Sequence, residues 1–404
     1  MATASKKRGS LHSEMGRPSN GYLSSYPSEL RERIKTMRKA EEGWGASSIL
    51  AELKRKYAYT DEQLPHRKSV ALFLRQEGFV KVYEQHSDLP DNEYGDQPEE
   101  AHDLWQLDAR GNEVVQMASE EVPEQSVALL DIKDVFSRTY VCCFPAPMVS
   151  QQGHPGTKHY QSALRLAFLQ HGMPKAIQTD NASVFRDNRS KSPFPTKLHL
   201  WLIGLGVRLC HSRVHQPTDQ AVVERSHEVL YNQILKGDKT FKNWEHLYEK
   251  CQERRQALNH DIPSRSCEEQ PPLVAHPQAV HSQRMYHPHK ELDLIDMTRV
   301  DSYLATCKWY RKVATNKTIS LAGQIYYLPL AKSSEQLEIT FCSKCRYLLF
   351  QNDKEQIVGI QPIKGMDKQY LMGKMATIFT MPALQLPIPF DWQDEVSMTL
   401  LHAA

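Results

Sequence analysis

Ser126-Val127-Ala128-Leu129-Leu130-Asp131-Ile132-Lys133-Asp134-Val135-Phe136-Ser137-Arg138-Thr139-Tyr140-Val141 is the stretch from which the fold is read. Two apolar runs flank a short polar turn, so the pattern predicts two strands joined tightly. Working outward, Leu104-Trp105-Gln106-Leu107-Asp108 alternates as a strand and ends in an acid. Ala176-Ile177-Gln178-Thr179-Asp180 is a short apolar run that also ends in an acid and is followed by Asn181. In Pro217-Thr218-Asp219-Gln220-Ala221-Val222-Val223-Glu224-Arg225 a turn passes into a helix. Asp108, Asp180 and Glu224 are the candidate catalytic acids. Asp131 and Asp134 are rival carboxylates, and Asp131, within a strand edge, is expected to face solvent.

An Asp at a strand end is ordinarily a turn former, and a Glu in a helix's first turn complements the helix dipole. Converging, two acids from strand ends and one from a helix start can hold a pair of hard divalent cations. Oxygen ligands in octahedral geometry suit Mg²⁺ or Mn²⁺. Two such ions clamp both oxygens of an in-line phosphoryl displacement. The three motifs, in this order, resemble the DDE transposase and retroviral integrase superfamily. An Asp-x-x-Ser-Arg turn like Asp134-x-x-Ser137-Arg138 is common after the first acid there. Thr179-Asp180-Asn181-Ala182-x-x-Phe185 and Pro217-x-x-x-Ala221-x-x-Glu224-Arg225 resemble its next two motifs. Ala221 stands where the family usually has Gly. A gap of 43 residues separates Asp180 from Glu224, longer than the retroviral pattern, and the polar stretch 186–193 absorbs the difference as a loop.

The resemblance implies a multidomain α/β chain whose ribonuclease-H-like core is a mixed sheet with helices on both faces. Asp108, Asp180 and Glu224 would be both the catalytic residues and the ligands of two Mg²⁺ (or Mn²⁺) ions. The implied activity is that of a DNA transposase or integrase: it binds element ends, nicks them and joins the freed 3′-hydroxyls to target DNA. The implied partners are DNA, as element ends and target, and other copies of the chain in a synaptic complex; some members of the superfamily also use a separate ATPase for target selection. No Walker A sequence is present, so ATP hydrolysis would come from elsewhere. The implied location is cytoplasmic, of bacterial type, and nucleoid-associated when bound. Two other classes share the fold: a catalytically silent DNA-binding or repressor protein, and a ribonuclease-H-like nuclease without strand transfer.

At 404 residues the chain exceeds one ordinary core and suggests two to four domains. No apolar stretch is long enough to span a bilayer, and no membrane partner is expected. The eight Cys are scattered, which points to reduced thiols rather than a disulfide framework. Cys342-Ser343-Lys344-Cys345 is a lone C-x-x-C and reads as two turn cysteines. The net charge of +2 says nothing of nucleic acid, but its distribution does. Residues 1–81 hold 16 Lys or Arg against 9 Asp or Glu, residues 82–103 hold eight acids and no Lys or Arg, and residues 299–346 hold 8 basic against 3 acidic. Basic regions on both sides of an acidic core fit a protein that holds DNA.

The organisation follows. A basic tail over 1–26 is expected to be disordered. Over 27–81, Leu30, Ile34 and Met37 at helical spacing, a second helix behind Ser47-Ser48 and a third from Leu64 to Gly78 predict three helices. These resemble a helix-turn-helix DNA-binding domain in which Arg67, Lys68 and Ser69 lead the reading helix. An acidic linker spans 82–103, the core 104–275 and a connector 276–298. Within the core, Arg225 and His227 lie beside the candidate metal site, Tyr231 and Lys236 are candidate DNA contacts on the following helix, and 244–258 reads as another helix. Short β-prone runs over 299–376 predict a small barrel. It resembles the C-terminal barrel of bacterial integrases and of the phage Mu transposase, with Lys308, Arg311, Lys312 and Lys317 as candidate DNA contacts. A tail occupies 377–404.

Overall fold

Residues 21–80, 98–118, 124–148, 153–187, 192–212, 217–237 and 239–373 are described by a computed structural model of the chain, which divides near residue 90 into two units. The expected basic tail up to residue 20, most of the acidic linker, residues 188–191 of the polar loop and the C-terminal tail lie outside the described residues.

The first unit holds α1 (Ser28–Ala40), α2 (Ala46–Tyr57) and α3 (Arg67–Gln76). Leu30 and Ile34, one turn apart on α1, are buried with Ile49 and Leu53 of α2, Val70, Phe73 and Leu74 of α3, and Trp44 between α1 and α2. Each helix thus buries one apolar stripe, as its spacing requires. The His66 ring caps α3 by accepting from the Lys68 amide. Arg67 and Ser69 are half-buried and Lys68 is exposed at the leading end of that helix.

The second unit opens with β1 (Leu104–Met117), β2 (Glu124–Asp134) and β3 (Tyr140–Met148), an antiparallel meander. Asp134 ties the turn after β2. Its Oδ1 accepts from the Ser137 amide and hydroxyl at 2.7 and 2.6 Å, its Oδ2 accepts from the His102 amide at 2.7 Å, and Arg138 takes a positive φ. Helix α4 (Thr157–His171) then crosses to β4 (Ala176–Thr179), parallel to β1, and α5 (Lys197–Gly204) crosses to β5 (Arg208–His211), parallel to β4. The sheet order is β3-β2-β1-β4-β5, and β6 (Thr240–Phe241) pairs with the far end of β1. On one face, Trp105 packs against Phe168 of α4, their rings tilted with centroids 5.9 Å apart, and that helix is buried on nearly all sides. On the other lies α6 (Ala221–Ile234), followed by α7 (Trp244–His260).

Residues 276–298 are not a spacer. After α8 (Pro272–Ala275) the chain returns to the core, and Glu291 in α9 (Glu291–Leu294) is fully buried. Arg165 of α4 donates to both Glu291 oxygens at 2.7 and 2.6 Å, and Trp201 Nε1 donates to Oε1 at 2.8 Å. Tyr286 donates to Oε2. Helix α10 (Met297–Ala305) packs on α5. The expected C-terminal strands are present: β7 (Lys308–Lys312), β8 (Thr318–Leu321), β9 (Gln324–Tyr327), β10 (Gln336–Cys342), β11 (Tyr347–Gln351) and β12 (Ile357–Pro362), then α11 (Lys368–Met372). They pair as a four-stranded antiparallel sheet, β12-β11-β10-β7, and a separate β8–β9 hairpin, so among the described residues no ladder closes into a continuous barrel.

Candidate active site

Side chains two apart on a strand point to the same face. Asp108 pairs with Asp131, and Gln106 with both Lys133 and Gln178. The register therefore gathers Gln106, Asp108, Asp131, Lys133 and Gln178 on the sheet face that α6 covers. Gln106 seats that helix: its Nε2 donates to Gln178 Oε1 at 3.0 Å and to the Asp219 carbonyl at 2.8 Å, while its Oε1 accepts from the Val223 amide at 3.1 Å. Asp180 follows β4 directly, two residues beyond the last β1–β4 pair, Gln106–Gln178, and is close enough to Asp108 for the two charges to interact.

Burial lifts the Asp180 carboxyl above its ordinary range, the Ala182 amide that Oδ1 accepts from at 3.0 Å pulls it back, and the charge of Asp108 pushes it up again. His211 draws it down in turn, so the charge of Asp108 is one of several influences on this carboxyl. On Asp108, Oδ1 accepts from the Ala109 amide at 2.8 Å and Oδ2 faces His227 Nε2 at 3.1 Å. The other ring nitrogen, Nδ1, faces Asp131 Oδ2 at 2.6 Å. Burial alone would lower the His227 pKa, but Asp131 and Asp108 outweigh it and raise it to about 10, so at neutral pH an imidazolium bridges two carboxylates.

Asp131 is fully buried, which corrects the expectation that it faces solvent. Strand β2 is interior to the sheet, and no solvent-facing edge exists at that position. Asp108 does not end its strand either, since β1 continues to Met117. Glu224 is exposed in the first turn of α6, three residues before the buried His227. Ala221 opens α6 without a positive φ, so the family's glycine is not required for this backbone.

The structure thus brings Asp108 and Asp180 together and leaves Glu224 on the neighbouring helix. Among the described residues, no three His, Cys, Asp or Glu side chains are assembled at metal-holding spacing. Asp108 and Asp180 fit hard divalent cations in their donor chemistry, two carboxylates close enough for their charges to interact, and Glu224 in the first turn of α6 offers a third oxygen donor of the same kind.

Of the other candidate residues, Arg225 is exposed and its charge acts on Lys133. Arg110 lies over the Tyr231 ring at 4.1 Å, and Lys236 is half-buried after α6. Lys308 pairs with Glu338 at 2.9 Å, Arg311 donates to the Ser192 carbonyl at 2.7 Å, Lys317 donates to the Pro329 carbonyl at 2.8 Å, and Lys312 is exposed. Gln106 and buried Lys133 were not foreseen. Burial, chiefly, lowers Lys133 to about 7, and its Nζ sits over the Tyr140 ring at 3.8 Å. Their signal in the sequence is the period-two spacing from Asp108 and Asp131, which acquires meaning only once strand register is known.

No family model matches the chain. Among solved structures it is similar to a chain of the simian T-cell lymphotropic virus intasome in complex with PP2A regulatory subunit B56 gamma, at 15% identity and TM-score 0.33, covering 78% of this chain and 96% of that one. It is similar to the catalytic core domain of BIV integrase at 13% identity and TM-score 0.29, covering 44% of this chain and 95% of that one. The HTLV-2 integrase catalytic core domain in complex with magnesium is similar at 16% identity and TM-score 0.28, covering 44% of this chain and 97% of that one. Similarities this low do not assign the chain to a family.

Proposed function

We propose that this chain is a DDE-type DNA transposase or integrase that nicks element ends and joins their 3′-hydroxyls to target DNA. The observation that carries the reading is Asp180, directly after β4 and close enough to Asp108 of the neighbouring strand for their charges to interact, with Glu224 in the first turn of the helix that Gln106 seats on those strands. Asp108, Asp180 and Glu224 would hold two Mg²⁺ or Mn²⁺ ions, which when bound supply Lewis-acid activation of the attacking oxygen and neutralise charge on the phosphoryl group. The chain's own part is to orient. Gln106 fixes the start of α6 against β1 and β4, and the Ala182 amide holds the Asp180 carboxylate. Basic surface on the first unit, led by Arg67, Lys68 and Ser69, would read element ends. Arg225, Tyr231, Lys236, Lys308, Arg311, Lys312 and Lys317 would track backbone near the acids. The active form would be an oligomer bridging two DNA ends.

A strand-transfer assay with purified protein and end DNA, in Mg²⁺ or Mn²⁺, tests the reading. Wild type should yield joined products, and Asp108→Asn should lose cutting and joining by at least about a hundredfold while retaining end binding. Binding without cutting in wild type would mean a silent DNA-binding protein; cutting without joining would mean a nuclease.

A further inference from the structure

The polar face beneath α6 holds a three-residue chain, two members of which, Asp131 and His227, the three-acid scheme does not use. Asp131 lies at the bottom, fully buried, its Oδ1 without a hydrogen-bond partner among the described residues. Oδ2 meets His227 Nδ1 at 2.6 Å, and His227 Nε2 meets Asp108 Oδ2 at 3.1 Å. The ring is held at both ends and is itself buried. Asp108 is therefore fixed at both oxygens: the Ala109 amide takes Oδ1 at 2.8 Å and His227 takes Oδ2. A carboxylate gripped in this way keeps its outward lone pairs at one orientation, which is what a cation bound at the Asp108–Asp180 pair would need.

We infer that His227 is a positioning residue for divalent-cation binding, orienting the Asp108 carboxylate from an anchor on Asp131. The inference rests on the reading of Asp108 and Asp180 as ligands. Groups that orient a metal ligand from behind commonly contribute about 10–100-fold to metal affinity. Simple removal of His227 would strand the buried Asp131 carboxylate and endanger folding, so the test keeps polar side chains throughout.

The measurement is Mn²⁺ affinity of the full-length protein by electron paramagnetic resonance, with thermal unfolding recorded in parallel. The variants are Asp131→Asn, His227→Gln and the double variant. Each single variant should weaken Mn²⁺ binding by about tenfold or more while the protein stays folded. Because both act through one chain of contacts, the double variant should be no weaker than the poorer single one. Additive losses, or unchanged Mn²⁺ affinity in folded Asp131→Asn protein, would overturn the inference. So would nitrogen hyperfine coupling to Mn²⁺ from His227, which would make it a ligand. Asp108→Asn serves as the separate control. If it leaves Mn²⁺ binding intact, the reading of the acids themselves fails, whatever the His227 variants do.

Discussion

Two buried histidines in this chain take opposite charge states because of what faces them. His227 lies between carboxylates and is raised to about 10. His171, at the end of α4, is lowered to about 3 by burial first and then by the Arg255 guanidinium, with His102 and His281 adding to the effect. Its Nδ1 meets the Val280 carbonyl at 2.9 Å and its Nε2 meets Arg255 Nη1 at 3.0 Å, so the neutral ring donates to the carbonyl and accepts from the guanidinium. The unfolded chain takes a proton on this ring near its ordinary 6.5, but the folded chain does so only near 3. The stability from neutral His171 is therefore whole above pH 6.5 and is lost as pH falls from 6.5 towards about 3. In an NMR titration the His171 ring proton should hold its neutral shift well below pH 6.5, and a midpoint at the ordinary value would contradict this environment. His171→Gln should make the acid-side fall in stability shallower.

At the scale of elements, the strands were legible and their surroundings were not. Residues 126–141 spelled out a strand pair because apolar runs and a polar turn are local patterns. What lies beside a strand is not local. Strand β3 is an edge strand, consistent with Pro145 and Pro147 within it, and an exposed edge invites pairing with other chains. Helix α7 covers it with side chains. Asn259 accepts from the Tyr140 amide at 2.8 Å and donates to its carbonyl at 3.0 Å. Arg255 donates to the Tyr140 and Val141 carbonyls at 3.3 and 3.2 Å, and Gln252 donates to the Cys143 carbonyl at 3.2 Å. In the sequence Gln252 and Arg255 fell within the helix read over 244–258 and Asn259 just beyond it, with nothing local to tie them to a strand. The same non-locality hid Asp131: only the pairing of β2 on both sides shows that its carboxylate is interior. Asn259→Ala should cost on the order of 1–3 kcal/mol, by leaving the buried Tyr140 amide unpaired while Arg255 still serves its carbonyl, and should raise the tendency to self-associate. Urea unfolding and light scattering check both, and a loss below about 0.5 kcal/mol, the range of an ordinary surface substitution, would mean that the edge is held by the other α7 contacts alone.

For the whole molecule, the division read from composition was catalytic core, connector and C-terminal strands as successive parts. Packing joins them instead. One hydrophobic core runs from Trp105 and Phe168 through Trp201, Tyr286 and Ile295 to Trp309, Ile339 and Phe350. Phe194 meets Trp309 with ring centroids 4.7 Å apart, and Gln161 and Arg165 of α4 donate to the Leu371 and Met372 carbonyls at 3.0 and 2.6 Å. At its centre Glu291 is buried with Arg165, Trp201 and Tyr286, so α4 and α5, both distant in sequence, depend on one carboxylate of α9. Glu291→Ala would leave the Arg165 charge buried and unpaired, a loss of about 3–5 kcal/mol. If the second unit unfolds as one body, this variant should lower the melting of the core and of the C-terminal strands together, in a single transition followed by both far-ultraviolet circular dichroism and tryptophan fluorescence. A protein ending at residue 298 should likewise expose the Trp201 side of the core, bind a hydrophobic dye and aggregate. A soluble 298-residue form with a sharp transition of its own, or two separated transitions in Glu291→Ala, would show that the C-terminal strands are an autonomous domain and that their shared core contributes little to either part.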